Sequence, residues 1–292
     1  MHNFVKDLVL RTQYKDIYIA TGCSVMTGKS GPYLAGKLKD KSGEIDFRMW
    51  NLGDDDFVPQ SGTAVEVEFI CTEYKGNLQV NVSDIMPVSK DEIEDILDDL
   101  MEDSVDPSGL IACINETVEK MDDEDYKKIV TEILGSEETY KKFISIPAAI
   151  RHHHAYPHGL LTHTVSVLKV CKQIAEVYPS INKDLLFAGA ILHDIGKIRE
   201  YETSELGLLS GFSEFGELEG HLYIGARQVA EACRKLGISE AKQLQLEHLI
   251  LSHHGKREYG AVAEPKTPEA IILHHADNVD AAVAGILEQK EK

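Results

Sequence analysis

No apolar stretch in this chain approaches the roughly 20 residues a helix needs to cross a bilayer, so an ordinary membrane-embedded protein is excluded. The first residues, Met1-His2-Asn3-Phe4-Val5-Lys6-Asp7, have neither the basic start nor the long apolar stretch of a secretory leader. The expected location is the cytoplasm, with no membrane partner. Cysteine is sparse and scattered: Cys23, Cys71, Cys113, Cys171 and Cys233 form no CxxC pair. That spacing excludes a disulfide framework and a thiolate zinc site, and leaves small buried residues in a reducing compartment. Basic residues are outnumbered, 30 against 49 acidic, for a net charge of −19. A generic basic coat for nucleic acid is therefore excluded. Any polyanion must be engaged locally, by bound cations and a few lysines and arginines.

What is present is unevenly placed. Twelve of the 13 histidines lie at or beyond His152. Residues 91–106 hold nine acidic residues and no basic one. At 292 residues the length suggests two domains. Residues 15–88 read as short half-buried strands with a period of two. Ile17 and Ile19, then Ile45, Phe47 and Met49, then Val65, Val67, Phe69 and Cys71, then Leu78, Val80 and Val82 alternate with polar or small neighbours. Turn signals such as Ser42-Gly43 and Lys75-Gly76-Asn77 separate them. About five strands in this length suit a small closed barrel of the OB type. Residues 89–106 read as an acidic helical linker whose Ile93, Ile96, Leu97 and Leu100 form a narrow apolar stripe. From Pro107 the spacing turns helical over 108–120, 124–134, 137–145, 160–177, 184–194, 218–236, 240–253 and 268–288, with Gly207 through Gly220 as loop. The fold class is thus multidomain α+β: a barrel domain over 1–88, a linker over 89–106 and an all-α bundle over 107–292.

The segment that carries chemistry is Ala190-Ile191-Leu192-His193-Asp194-Ile195-Gly196-Lys197. An apolar helix ends on adjacent histidine and aspartate, and a glycine then lets the chain turn. Both side chains can bind a divalent cation, and a carboxylate can bridge two. One such dipeptide is a weak signal. It is strengthened by His163, His221, His253 with His254, and Asp277, each on or at the end of an expected helix, because helices of a bundle can converge side chains on one interior point. Nitrogen and carboxylate donors suit manganese, iron, cobalt, nickel or zinc in a non-thiolate site.

With these residues assembled, the sequence resembles the HD phosphohydrolase superfamily and, more narrowly, the YhaM-type 3′→5′ exoribonuclease family. The matching stretches are HHHAYPHGLLTHTVSVLKV (152–170), DLLFAGAILHDIGKIREY (184–201), EGHLYIGARQV (219–229), LILSHHGKREYG (249–260), PEAIILHHADNVDA (268–281) and, in the barrel, YLAGKLKDKSGEIDFRMWN (33–51). The resemblance implies that His163, His193, Asp194 and Asp277 hold one metal ion. It implies that His221, His253 and His254 hold a second, with Asp194 as bridge, and that Lys197 touches a phosphate oxygen. Asp194 and Lys197 are then the catalytic pair. Manganese is the expected metal. One departure is His158, where the family pattern leads us to expect glycine.

In the barrel, Tyr33, Trp50 and Tyr74 are candidates to stack on bases, and Lys37, Lys39, Lys41, Arg48 and Lys75 to meet phosphates. Phe47 shares its face with Ile45 and Met49 and is expected in the core. Arg199 and Lys256-Arg257 are weaker candidates for guiding a strand. His152, His153, His154, His274 and His275 are expected to be structural or to orient the ligands, with His153 or His154 also placed to meet substrate phosphate. The leading expectation is a metal-dependent 3′→5′ exonuclease on single-stranded RNA or DNA. The rivals are a phosphohydrolase of a small or cyclic nucleotide, and a non-catalytic strand-binding protein with a structural metal. A homo-oligomer is left open, with the stripe from Ile93 to Leu100 as a candidate contact.

Overall fold

The computed structural model describes residues 2–29, 31–53, 55–101, 106–149, 154 and 156–290. The chain divides into two compact units, one of residues 1–104 with 203–211, the other of residues 105–202 with 212–291.

In the first unit, five strands close into a barrel: β1 (Gln13–Gly28), β2 (Gly31–Asp40), β3 (Gly43–Trp50), β4 (Thr63–Tyr74) and β5 (Asn77–Pro87). Their hydrogen-bonded order is β1-β2-β3-β5-β4. Every pair is antiparallel except β3 with β5, which run parallel through Phe47↔Val80 and Arg48↔Asn81. This is the five-stranded OB-type architecture. β1 serves two neighbours. Gln13–Ala20 pairs with β4, and the stretch from Ile19 to Gly28 pairs with β2. The register shifts between Thr21 and Ser24, and a bulge of this kind bends a strand so that the sheet can close on itself.

Ile45, Phe47 and Met49 of β3 and Val65, Val67, Phe69 and Cys71 of β4 fill the interior, as their alternation predicts. β1 differs from expectation. Tyr18 and Ala20 point into the barrel, while Ile19 joins Ala64, Ile93 and Leu100 in a separate cluster, with Ile17 packed against it. β1 is covered on both faces here, so simple alternation misassigns its inward side. Leu78 lies near the start of β5 and is exposed.

The acidic linker forms a 3-10 turn, Lys90–Ile96, and one helical turn, α1 (Leu97–Leu100). Ser89 and Glu92 cap its start reciprocally. Ile93 and Leu100 are fully buried against Ile19 and Ala64, with Ile96 and Leu97 partly buried beside them. The stripe considered for a symmetric contact is therefore used within the chain.

The second unit contains α2 (Ser108–Glu119), α3 (Glu124–Leu134), α4 (Glu137–Ser145), α5 (Gly159–Val177), α6 (Lys183–Leu192), α7 (Lys197–Glu200), α8 (Glu214–Leu218), α9 (Gly220–Leu236), α10 (Glu240–Ser252) and α11 (Pro268–Lys290). Asp123, Ser136, Asn182 and Ser239 cap helices by accepting from backbone N–H groups. The stretch read as loop from Gly207 instead holds β7 (Leu209–Phe212), paired with β6 (Tyr201–Thr203), and then α8. Strands of three and four residues carry too few alternations to be read from sequence. Among the described residues, no helix is long and apolar enough to cross a membrane. The five cysteines are free, and each is buried or half-buried.

Candidate metal centre

α6 is the central helix of its unit. Leu185, Leu186, Ala188, Gly189, Ala190, Ile191 and Leu192 are all buried, as an all-round apolar helix requires. It stops at Leu192. His193 and Asp194 follow in a tight turn closed by Ile195 N–H to the Leu192 carbonyl at 3.1 Å and Lys197 N–H to the Asp194 carbonyl at 3.0 Å. Gly196 is needed for closeness rather than for turning. Its φ of −62° suits any residue, but a Cβ there would lie 2.1 Å from the His221 carbonyl oxygen. The bare backbone thus lets the His-Asp turn press against the start of α9. His163 comes from the first turns of α5, His221 from the start of α9, His253 and His254 from the end of α10, and Asp277 from α11. Gly255, just after the two histidines, has φ +80°, and a Cβ would collide with the His274 ring at 2.2 Å.

The seven candidate ligands converge. His163 Nε2 lies 3.1 Å from His193 Nε2 and 3.2 Å from Asp277 Oδ1. His221 Nε2 lies 3.3 Å from His254 Nε2. Asp194 sits between the two groups. Its Oδ2 is 3.5 Å from both His163 Nε2 and His193 Nε2. Its Oδ1 is 3.6 Å from both His221 Nε2 and His253 Nε2. Two sets of donors that could each hold a metal are His163, His193 and Asp277, and His221, His253 and His254. Each carboxylate oxygen of Asp194 faces one set.

Hydrogen bonds orient the rings. His193 and His253 donate Nδ1–H to the carbonyls of Ala190 and Ile250, at 2.9 and 2.7 Å. His163 and His221 donate Nδ1–H to Asp280 and Glu200, at 2.7 and 2.9 Å. All four rings therefore turn the Nε2 lone pair toward the centre. Neighbouring Nε2 atoms at 3.1–3.3 Å can face one another only around a shared proton or a cation. Metal–ligand bonds of about 2.0–2.2 Å put adjacent donors about 3.0–3.5 Å apart, close to the spacing found. Asp194 Oδ1 is buried and has no hydrogen-bond partner, and an orphaned carboxylate oxygen of this kind fits a cation ligand. The donor set fits divalent transition metals.

Electrostatics agree. Burial disfavours ionised Asp194, but Lys197 and the imidazoles hold its carboxyl well below the usual range. Asp277 is likewise depressed by His163 and its neighbours against the effect of burial. His193 and His254 are pushed down to about 4 by burial and by adjacent rings, so they are neutral donors at pH 7. Burial also opposes charge on His163, yet Asp277 and Asp280 outweigh it and raise it to about 9. Proton and metal compete for that Nε2. Lys197 Nζ lies 2.8 Å from Asp194 Oδ2. Burial disfavours its charge, but Asp194 raises its pKa and keeps it charged.

The HD domain family matches residues 160–282, which span all seven candidate ligands. The 3′-5′ exoribonuclease YhaM of Bacillus subtilis (strain 168) is 36% identical over 92% of this chain and 84% of its own length. YhaM of Shouchella clausii is 33% identical over 91% and 82%, and that of Bacillus licheniformis is 34% identical over 92% and 85%. The chain belongs to the YhaM exoribonuclease family.

Outside the ligand set, the other histidines of this YhaM-family chain take varied positions. His152 and His153 lie outside the described residues. His154 is buried and bonds Asp280 through Nε2 at 3.0 Å. His274 donates to the His253 carbonyl at 2.7 Å, whereas His275 is exposed. His158 caps α5 with φ +66°, a backbone state that explains the expectation of glycine; its ring bonds the Ile144 carbonyl. Asp280 and Glu200 went unnoticed in sequence. Their signal is spacing, since Asp280 follows Asp277 and Glu200 follows Lys197 by three residues, one helical turn.

On the barrel, Tyr33 and Trp50 are cross-strand partners with ring centroids 4.7 Å apart. The Arg48 guanidinium lies 5.9 Å from both the Tyr33 and Tyr74 rings, and Lys75 Nζ is 5.3 Å from Tyr74. Trp50 Nε1–H donates to Asn81 at 3.4 Å. Trp50 is 48% exposed and Tyr74 53%, so their rings are free to stack, while Phe47 is fully buried. Lys37 is paired with Glu44 and is not among these contacts.

Proposed function

We propose that this chain is a metal-dependent 3′→5′ exonuclease that removes nucleoside 5′-monophosphates from single-stranded RNA, and from single-stranded DNA as a second substrate. Asp194, with one oxygen toward each donor set, carries the reading. Family membership supplies the direction of attack and the polymer substrate. His163, His193, Asp277 and Asp194 would hold one divalent ion, and His221, His253, His254 and Asp194 a second, with manganese favoured. When bound, such ions neutralise phosphodiester charge, acidify a water and stabilise the leaving oxygen. The chain's own residues set this up. The Nδ1–H bonds fix the tautomers of His163, His193, His221 and His253. Asp194 stays ionised. Lys197 keeps its proton beside Asp194 and adds positive charge for a non-bridging phosphate oxygen. Arg199, stacked 4.4 Å over the half-exposed Phe215, is placed to steady the strand end.

The barrel region, residues 1–88, would hold the strand through Tyr33, Trp50, Tyr74, Arg48 and Lys75, as single-strand binders combine aromatic platforms with cations. Residues 107–292 would carry hydrolysis. The test is digestion of 5′-labelled single-stranded RNA with manganese. The wild type should give a ladder shortening from the 3′ end with mononucleotide product, and Asp194→Ala should lose at least about a thousandfold in rate. Turnover of cyclic dinucleotides with RNA left intact would refute the assignment in favour of a small-nucleotide phosphohydrolase.

A further inference from the structure

The four central imidazoles face inward for two different reasons. His193 and His253 each lean on a backbone carbonyl three residues earlier. A helix end supplies that acceptor whatever the side chains are. His163 and His221 lean on carboxylates instead. Asp280 Oδ2 accepts from His163 Nδ1 at 2.7 Å. Glu200 Oε1 accepts from His221 Nδ1 at 2.9 Å and from the His221 backbone N–H at 2.9 Å. Each donor set therefore has one ring backed by a full negative charge.

The two carboxylates are built in. Glu200 is 5% exposed, and the Asp280 side chain is 12% exposed. Asp280 is further fixed by His154 Nε2 at 3.0 Å, and His154 Nδ1 lies 2.7 Å from the Tyr156 hydroxyl. The hydrogen bonds run one way. Tyr156 O–H donates to His154, His154 donates to Asp280, and His163 donates to Asp280 from the other side.

We propose that Asp280 and Glu200 are positioning residues that set the metal affinity of the two halves separately, Asp280 through His163 and Glu200 through His221. The inference rests on the two-ion reading of the site. A carboxylate on Nδ1–H locks the ring and makes Nε2 a stronger donor than a carbonyl partner does. Asp280 and Glu200 share no imidazole, and Asp194 is the ligand common to both halves. Neutralising one carboxylate should therefore weaken one ion and spare the other.

The experiment compares wild type, Asp280→Asn and Glu200→Gln by calorimetric titration with Mn2+ and by electron paramagnetic resonance of the loaded proteins. Wild type is expected to bind two ions per chain and to give the spin-coupled spectrum of a close pair. Each neutral variant is expected to keep one ion at wild-type affinity and to lose about 10–100-fold at the other. At intermediate Mn2+ its spectrum should become the six-line signal of an isolated ion. Asp280→Glu and Glu200→Asp keep the charge and should recover the second ion, at least in part. These variants also carry the test if a neutral one fails to fold. If wild type binds one ion or none, the two-ion reading fails and this inference falls with it. If wild type binds two, the two-ion reading stands. The inference alone is then overturned if a neutral variant binds both ions unchanged, if it loses both together, or if restoring the charge recovers nothing.

Discussion

The barrel unit contains a titratable clamp whose strength follows from three side chains. His2 is buried between Asp16 and Asp40, with Nδ1 3.2 Å from Asp16 Oδ1 and Nε2 3.2 Å from Asp40 Oδ2. Asp16 also accepts from the Asn3 N–H at 2.6 Å, and Asp40 from the Val5 N–H at 2.7 Å, so the clamp pins residues 2–5 to β1 and β2. Burial opposes charge on His2, but the two carboxylates outweigh it and raise its pKa from 6.5 to about 9. Asp16 falls to about 2 against the same opposing burial. The raised His2 contributes stability that is complete below pH 6.5 and is lost as the pH climbs through about 9. The lowered Asp16 contributes stability present above about pH 4 and lost as the pH falls through about 2. The clamp is therefore at full strength between about pH 4 and 6.5. The histidine rise is worth about 3 kcal/mol at about 1.4 kcal/mol per pH unit, or about 2 kcal/mol after allowance for solvent screening. For a unit of this size that is about 8–15 °C in Tm. Trp50 is the sole tryptophan of the chain and lies in β3, so its fluorescence reports barrel unfolding selectively. Wild-type barrel Tm should fall by about that much from pH 6.5 to 9.5, and His2→Ala should start lower and stay nearly flat over the same range. A wild-type Tm independent of pH across that window, or an equal slope in His2→Ala, would refute the assignment of charge to this imidazole.

Two further outcomes test the sites. Trp50→Ala should weaken binding of a fluorescent single-stranded oligonucleotide by about 1–3 kcal/mol, measured by anisotropy, with cleavage of a dinucleotide little changed; unaltered affinity would remove the barrel platform from the account. Gly196→Ala forces a Cβ toward the His221 carbonyl at 2.1 Å. It should cost about 1–3 kcal/mol of stability, seen in helical circular dichroism, and should reduce manganese stoichiometry by displacing His221.

Much of this was legible in the sequence, for identifiable reasons. The eight helices expected from apolar spacing lie within two residues of their observed ends because each carries several turns of pattern and many have a side-chain cap. The seven candidate ligands could be singled out as a set that converges because histidine and aspartate at helix ends have few other uses in combination. The inward side of β1 was misread because the linker covers its outer face, so Ile19 is as buried as Tyr18. The pairing of Lys37 with Glu44 on the neighbouring strand was not foreseen, because cross-strand pairing depends on a register that the residues alone do not display. Asp280 and Glu200 were missed for a related reason. Their one-turn spacing from Asp277 and Lys197 is shared by many ordinary helix-surface acids, so the role of a carboxylate that orients a ligand emerges only when the histidine it serves is placed in space.

The charge of the chain bears on how a polyanion can bind at all. Around the centre stand four carboxylates, those of Asp194, Asp277, Asp280 and Glu200, and one ammonium, that of Lys197. Carboxylates and ammonium alone sum to about −3, and to about −2 with His163 protonated, a field that repels phosphate. Two divalent cations held as proposed would turn it to about +1 and would make strand binding at this site depend on metal loading. Outside the centre, the cations set beside aromatic rings that could meet phosphate are Arg48 and Lys75 on the barrel and Arg199 beside Phe215, with Lys197 at the centre itself. Each phosphate neutralised on a single strand contributes about −0.7 to the slope of log affinity against log salt. Three or four such contacts give about −2 to −3, far shallower than the slope for a broad basic surface. Titrations from 50 to 300 mM salt with saturating manganese should find that value. A slope near −6 would mean that a basic surface, not the metal centre and a few aromatic rings, holds the strand.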